Sequence, residues 1–141
     1  MTAMTAANKR VYIAGPYSFM APGLLSTRGQ KIEHIKRAAE IAEIFRCAGW
    51  VPFLPHAHYD GWNEALGGRI FGGISGHGEI MAQCLKWVEA CDALVRLPGY
   101  SPGSDSEAAH AILKGIPVIP AHRIGELLRE DPGTDEEEEP R

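Results

Sequence analysis

Four short apolar, β-branched runs alternate along this chain with stretches long enough to be helices, and that alternation narrows the possible folds more than any other feature. The first run, Arg10-Val-Tyr-Ile-Ala14, stops at Gly15-Pro16 and reads as a buried strand closing in a turn. In residues 27–48 the apolar positions Ile32, Ile35, Ala39, Ala42 and Phe45 recur at three and four residues before Gly49, which predicts an amphipathic helix. Trp50-Val-Pro-Phe-Leu54 reads as a second strand, placed at an edge or near its own start because Pro52 has no N–H to donate. A helix over 79–90 leads into Asp92-Ala-Leu-Val-Arg-Leu97, a third strand. A helix over 104–114, closed by Gly115, precedes the fourth strand, Ile116-Pro-Val-Ile119, and a last helix covers 124–129. Parallel strands joined through helices cross over right-handedly, so the expected fold is α/β. It is a three-layer sandwich around a doubly wound, flavodoxin-like (Rossmann-like) parallel sheet of 4–5 strands. Residues 55–78 break the rhythm: they are glycine-rich and weakly periodic, and predict a long loop, or a loop carrying a short helix, that could serve as a lid.

The chain has 141 residues, the size of one domain able to bury its own core. We expect a frayed segment over 1–8, a single catalytic domain over 9–130 and an acidic disordered tail over 131–141, since Asp135-Glu-Glu-Glu-Glu139 is too charged to pack. No apolar run approaches the ~20 residues that span a bilayer, and the opening residues lack the basic start and apolar stretch of a secretion signal. The expected location is the cytoplasm, with no membrane role. Cys47, Cys84 and Cys91 are odd in number and form no C-x-x-C pair, so they read as reduced core thiols. The formal charge of −4 comes largely from the tail, and no dense basic stripe exists to hold a nucleic acid polymer. A small anion could still be held by backbone amides or one arginine.

Ligands of doubly wound sheets sit beyond the carboxyl ends of the strands. That rule points to loops 15–26, 55–78 and 98–104, and makes Gly15, which opens the first, a candidate contact to substrate. Glu107 follows the third loop, in the first turn of its helix, and two readings fit it. Ser104 and Glu107 have the spacing of a capping box. A carboxylate held ionised by the helix dipole at the mouth of the sheet is equally a placed nucleophile. Ser101, Gly103 and Ser104, with nearby amides, form a candidate anion site, although Ser101 before Pro102 is also a turn residue. His56, His58 and Asp60 lack a further ligand at metal-binding spacing, so no metal is expected and His56 is taken as a pocket residue. Trp62 and Phe71 could stack on a base and Arg69 could meet a phosphate, against the simpler reading of loop packing and a solvated charge. There is no G-x-G-x-x-G, no P-loop and no reactive-cysteine loop.

Three motifs, Val11-Tyr-Ile-Ala-Gly-Pro16, Cys91-Asp-Ala-Leu-Val95 and Ser101-x-Gly-Ser-x-x-Glu107, occur in this order and follow or open the first and third strands. Over residues 10–120 the chain resembles the nucleoside 2-deoxyribosyltransferases and the related 2′-deoxynucleoside 5′-phosphate N-hydrolases. The resemblance implies that Glu107 attacks C1′ to form a covalent glycosyl intermediate, that Tyr12 orients Glu107, and that Asp92 assists departure of the base. It implies no cofactor, and a homo-oligomer whose neighbouring subunits complete each site. Where transferases of free nucleosides carry an acid six residues before the nucleophile, this chain has Ser101, as the nucleotide hydrolases do, and a hydroxyl tolerates a 5′-phosphate that a carboxylate would repel. The expected activity is therefore hydrolysis of the N-glycosidic bond of a 2′-deoxyribonucleoside 5′-monophosphate or nucleoside. Its chemistry needs a carboxylate to trap an oxocarbenium-like sugar and a second group to relieve charge on the base. Base exchange between nucleosides is the first alternative, and a non-catalytic nucleotide-binding sensor the second.

Overall fold

The structure, a computed structural model, describes residues 9–72 and 76–130. The segments expected to be frayed (1–8) and disordered (131–141) lie outside the described residues, as do 73–75 of the glycine-rich stretch. In chain order the elements are β1 (Arg10–Ala14), β2 (Phe19–Ala21), β3 (Leu24–Leu25), α1 (Arg28–Cys47), β4 (Val51–Phe53), α2 (Pro55–Ala65) and α3 (Arg69–Gly72). They continue with α4 (Gly76–Glu89), β5 (Ala93–Arg96), α5 (Pro102–Leu113), β6 (Val118–Pro120), a short 3-10 turn (Ala121–Arg123) and α6 (Ile124–Glu130).

The main sheet has four strands in the order β4-β1-β5-β6, all parallel, as the alternation of strands and helices required. β4 is the edge on which Pro52 was expected. The chain leaves β1 for β4 on one side and returns to β5 on the other, so the crevice beyond the carboxyl ends of β1 and β5 is the switch point of the fold. Side chains alternate across the sheet and sort into two cores. Val11, Ile13, Ala93 and Val95 pack under Ala38, Ala42 and Phe45 of α1 and Leu127 of α6. Tyr12, Ala14 and Leu94 pack under Tyr59 of α2, Cys84 and Val88 of α4 and Ala111 of α5. Helices on both faces make the three layers.

α1 starts at a capping box between Thr27 and Gln30, and its buried stripe is Ala38, Ala42 and Phe45. Ile32 and Ala39, expected on that stripe, are exposed. Residues 55–78 are the larger correction, because the described part is mostly helical: α2, α3 and the start of α4. Pro55 suits the first position of α2, where its missing N–H costs nothing. The inward stripe of α2 carries Asp60 and Asn63 beside Pro55 and Tyr59, so it does not read as apolar. Both polar groups are satisfied: Asp60 by Arg28 and Tyr17, and Asn63 by the Phe71 amide at 2.9 Å. A further difference is the two-stranded β2-β3 hairpin within 15–26. Cys84 and Cys91 are buried free thiols, but Cys47, at the last turn of α1, is exposed.

Candidate active site

α5 begins earlier than its sequence suggested. Ser101 is the N-cap and accepts from the Ser104 amide at 3.1 Å, and Pro102 takes the first helical position. The expected Ser104/Glu107 capping box is therefore not formed, and Glu107 sits in the second turn. It shares an inward stripe with Ser104 and Ala111 at spacings of three and four, so a glutamate occupies a position that periodicity assigns to the core. Glu107 is 2% exposed. Tyr12, fully buried on the same face of β1, donates its phenolic hydrogen to Glu107 Oε2 at 2.8 Å. Glu107 Oε1 has no hydrogen-bond partner among the described residues although it is buried. The burial raises the Glu107 pKa to about 7, against the opposing pull of Tyr12, the neighbouring Cys84 thiol and Arg96. Burial also pushes the Cys84 thiol up to about 12 and Tyr12 well above its ordinary value. Near neutral pH, Glu107 is the one member of this trio able to change charge.

The carbonyl of Gly15, just beyond β1, ties the site together. It accepts from the Ser104 hydroxyl at 2.9 Å, more loosely from Ser101 at 3.5 Å, and from His56 Nε2 at 2.6 Å. Burial lowers the His56 pKa to about 4, so the ring is neutral and its Nε2–H is the donor. Close packing explains the glycines: a Cβ on Gly15 would lie 3.0 Å from Leu97 Cβ, and one on Gly99 2.6 Å from Pro16 Cγ. Gly99 also has φ +118, which a side chain rarely tolerates. Arg96, at the carboxyl end of β5, shapes the turn before α5 through the Leu97 and Gly99 carbonyls and an ion pair with Asp105 at 2.9 Å.

Part of this network, though not Tyr12, Gly15 or Arg96, lines a cavity of about 240 Å³. Ser101, Gly103, Ser104 and Glu107 of α5 and its cap line it, with Met81 and Cys84 of α4, His56 and Tyr59 of α2, and Lys31 of α1. Aromatic rings supply much of the rest: Tyr17, Phe19, Phe71 and Tyr100. Tyr17 stacks on His56 with ring centres 5.0 Å apart, and its hydroxyl is bound by Asp60. Flat apolar walls around one carboxylate suit a sugar carrying a planar ring system.

The structure thus brings together Glu107, Tyr12, Gly15, Ser101, Gly103, Ser104 and His56. It does not bring Asp92 to them. Asp92 precedes β5, at the amino end of the sheet, where it is exposed and accepts from the Arg10 amide at 2.7 Å. In a parallel sheet that edge lies opposite the cavity, so the base-assisting role expected of Asp92 is corrected. Trp62 is 45% exposed and Arg69 bonds the Leu66 carbonyl at 3.1 Å; neither lines the cavity, because the helix α2 turns Trp62 outward and α3 keeps Arg69 at its own start. Tyr17, Lys31, Tyr59 and Cys84 were missed. Tyr17 follows Gly15-Pro16 directly, in the first of the three loops, and could have been found there; the other three sit on helical stripes that look like ordinary packing. Among the described residues no group of three or more His, Cys, Asp or Glu could hold a metal ion, and no helix is long and apolar enough to cross a membrane.

No protein-family profile and no curated protein matches the chain. Among solved structures it is similar to a 2-deoxyribosyltransferase from Bacillus psychrosaccharolyticus, with a TM-score of 0.53 and 18% sequence identity over 79% of this chain and 70% of the other. At that identity the likeness establishes the shared fold: a flavodoxin-like α/β sandwich with a parallel sheet.

Proposed function

We propose that this protein cleaves N-glycosidic bonds of nucleosides or nucleotides, with Glu107 as the nucleophile. One observation carries the reading: a buried carboxylate, fixed through one oxygen by Tyr12 and with its other oxygen unpartnered among the described residues, belongs to a glutamate that lines an aromatic-walled cavity. Leaving a buried acceptor unpaired costs roughly 1–3 kcal/mol, a penalty that a purely structural glutamate would not need to carry. In the first half-reaction Oε1 bonds to C1′ as the C1′–N bond breaks, and the base departs with the bonding pair and collects a proton from water. In the second, water bonds through its oxygen to C1′ and gives up one proton to solvent as the C1′–Oε1 bond breaks, which restores the carboxylate. Tyr12 lowers the pKa of Glu107 and aims it, while Ser101, Gly103 and Ser104 bound the end of the cavity where the sugar 5′ substituent lies, and the Gly15 carbonyl, bonded to His56 and Ser104, braces that end from behind.

Water as acceptor gives a hydrolase, which Ser101 favours by admitting a 5′-monophosphate. A second base as acceptor gives a transferase, the activity for which the structural neighbour is named. Incubation with deoxynucleosides and their 5′-monophosphates, with and without an acceptor base, separates these outcomes. Binding without release of base in any combination would leave only the sensor reading. The hairpin β2-β3 exposes Met20, Leu24 and Leu25, and its Phe19 meets Tyr100 edge-on at the cavity. We assign this apolar rim to a contact with a second copy of the chain, measurable by sedimentation, with Leu25→Glu expected to yield monomers.

A further inference from the structure

We propose that Lys31 is the residue that selects a 5′-phosphorylated substrate, holding the phosphate against the start of α5. The proposal rests on the N-glycosidase reading of the site. The start of α5 is by itself poorly equipped for an anion: Pro102 has no N–H, the Ser104 amide is taken by Ser101 Oγ, and the Asp105 amide by the Ser101 carbonyl. The Gly103 amide and the helix dipole remain, which is modest support for a dianion.

Lys31 supplies the missing charge. Among the described residues lining the cavity it is the one cation, since His56 is neutral. No carboxylate among the described residues lies within the 4.0 Å of an ion pair. The acid that feels it, Asp60, is already bound by both terminal guanidinium nitrogens of Arg28 and by the Tyr17 hydroxyl. The ammonium instead rests over the Tyr17 ring, 5.2 Å from its centre. That platform is tied to α5: Tyr17 stacks on His56, and His56 donates to the Gly15 carbonyl that also receives Ser104. Glu107, whose buried Oε1 is unpartnered among the described residues, lines the same cavity, which marks it as a place for a ligand.

The test uses Glu107→Gln full-length protein, chosen to remove the proposed nucleophile and so prevent turnover, titrated calorimetrically with the four common deoxynucleoside 5′-monophosphates and the matching nucleosides. The expected result is at least about tenfold tighter binding of a monophosphate than of its nucleoside, with that ratio falling about tenfold or more when Lys31→Met is added. Lys31→Arg should keep the ratio within roughly threefold, and added salt should lower it in the parent but not in the Met variant. Lys31→Gln serves in place of Met should that variant fail to fold, as judged by circular dichroism. An unchanged ratio in Lys31→Met or Lys31→Gln, or no preference for monophosphate in the parent, overturns the proposal. The catalytic reading fails separately: Lys31-dependent binding of monophosphates with no base released by the wild type would sink that reading and leave the clamp standing.

Discussion

The two ends of the sheet each present a carboxylate, and their fates differ. At the amino end Asp92 lies in solvent and closes on the Arg10 amide, while Arg10 reaches the Ala90 carbonyl at 3.0 Å. At the carboxyl end Glu107 is buried against Tyr12 of β1, and one of its oxygens has no partner among the described residues. Water screens the first and makes it a modest local staple. Exclusion of water makes the second costly to ionise and titratable near neutrality. Chemistry gathers where helix starts and strand ends meet at the switch point, and the opposite end is free to be structural.

The sharpest way to break this contrast is to remove each acid in turn. Glu107→Gln should lower base release by about 10³-fold or more, as loss of a covalent nucleophile does, whereas Asp92→Asn should stay within roughly twofold. Equal losses in steady-state assays would erase the distinction. The next effect is on stability. Folding raises the Glu107 pKa from the ordinary 4.5 to about 7, so its protonated form is the one the folded state favours. That contribution is fully present below pH 4.5 and is lost as pH rises through 7. Glu107→Gln, which cannot ionise, should therefore be more stable than wild type at pH 8 by up to about 3 kcal/mol, with the gap closing below pH 5, in chemical denaturation.

Smaller in size, Tyr12→Phe should reduce kcat about tenfold through loss of one charge-assisted hydrogen bond. Wild-type activity should rise with pH through about 7 as Glu107 ionises, and because Tyr12 favours the ionised form, the Phe variant should rise at higher pH. A pH profile that does not move would separate Tyr12 from the carboxylate it touches. The smallest effect belongs to the amino end: Asp92→Ala should cost about 1 kcal/mol or less of stability, the worth of one exposed hydrogen bond, without changing the pH profile of base release.

Much of the fold was legible because it follows from periodicity. Alternating runs located four parallel strands, Pro52 pointed to an edge or a strand start, and the wholly apolar run after Arg10 marked a buried strand, which the structure covers on both faces. The 55–78 stretch was misread because Asp60 and Asn63 occupy an inward helical stripe where apolar residues are expected. Their partners, Arg28, Tyr17 and the Phe71 amide, come from other parts of the chain, and no local window contains them. The place of Asp92 was legible too: a residue that begins a parallel strand cannot share an end with a loop that follows it.

By itself, then, the sequence determined the layers, the order of elements and the loops at which a site could form, because burial of apolar faces dictates these through local spacing. Only the tertiary structure decided that Ser101 and not Ser104 caps α5, that Glu107 lies on the buried stripe of that helix, and that Lys31 and Cys84 reach the same cavity as His56. These outcomes depend on side chains from four helices and a strand meeting within a few ångströms, and on the removal of water, which sets their charges once they have met.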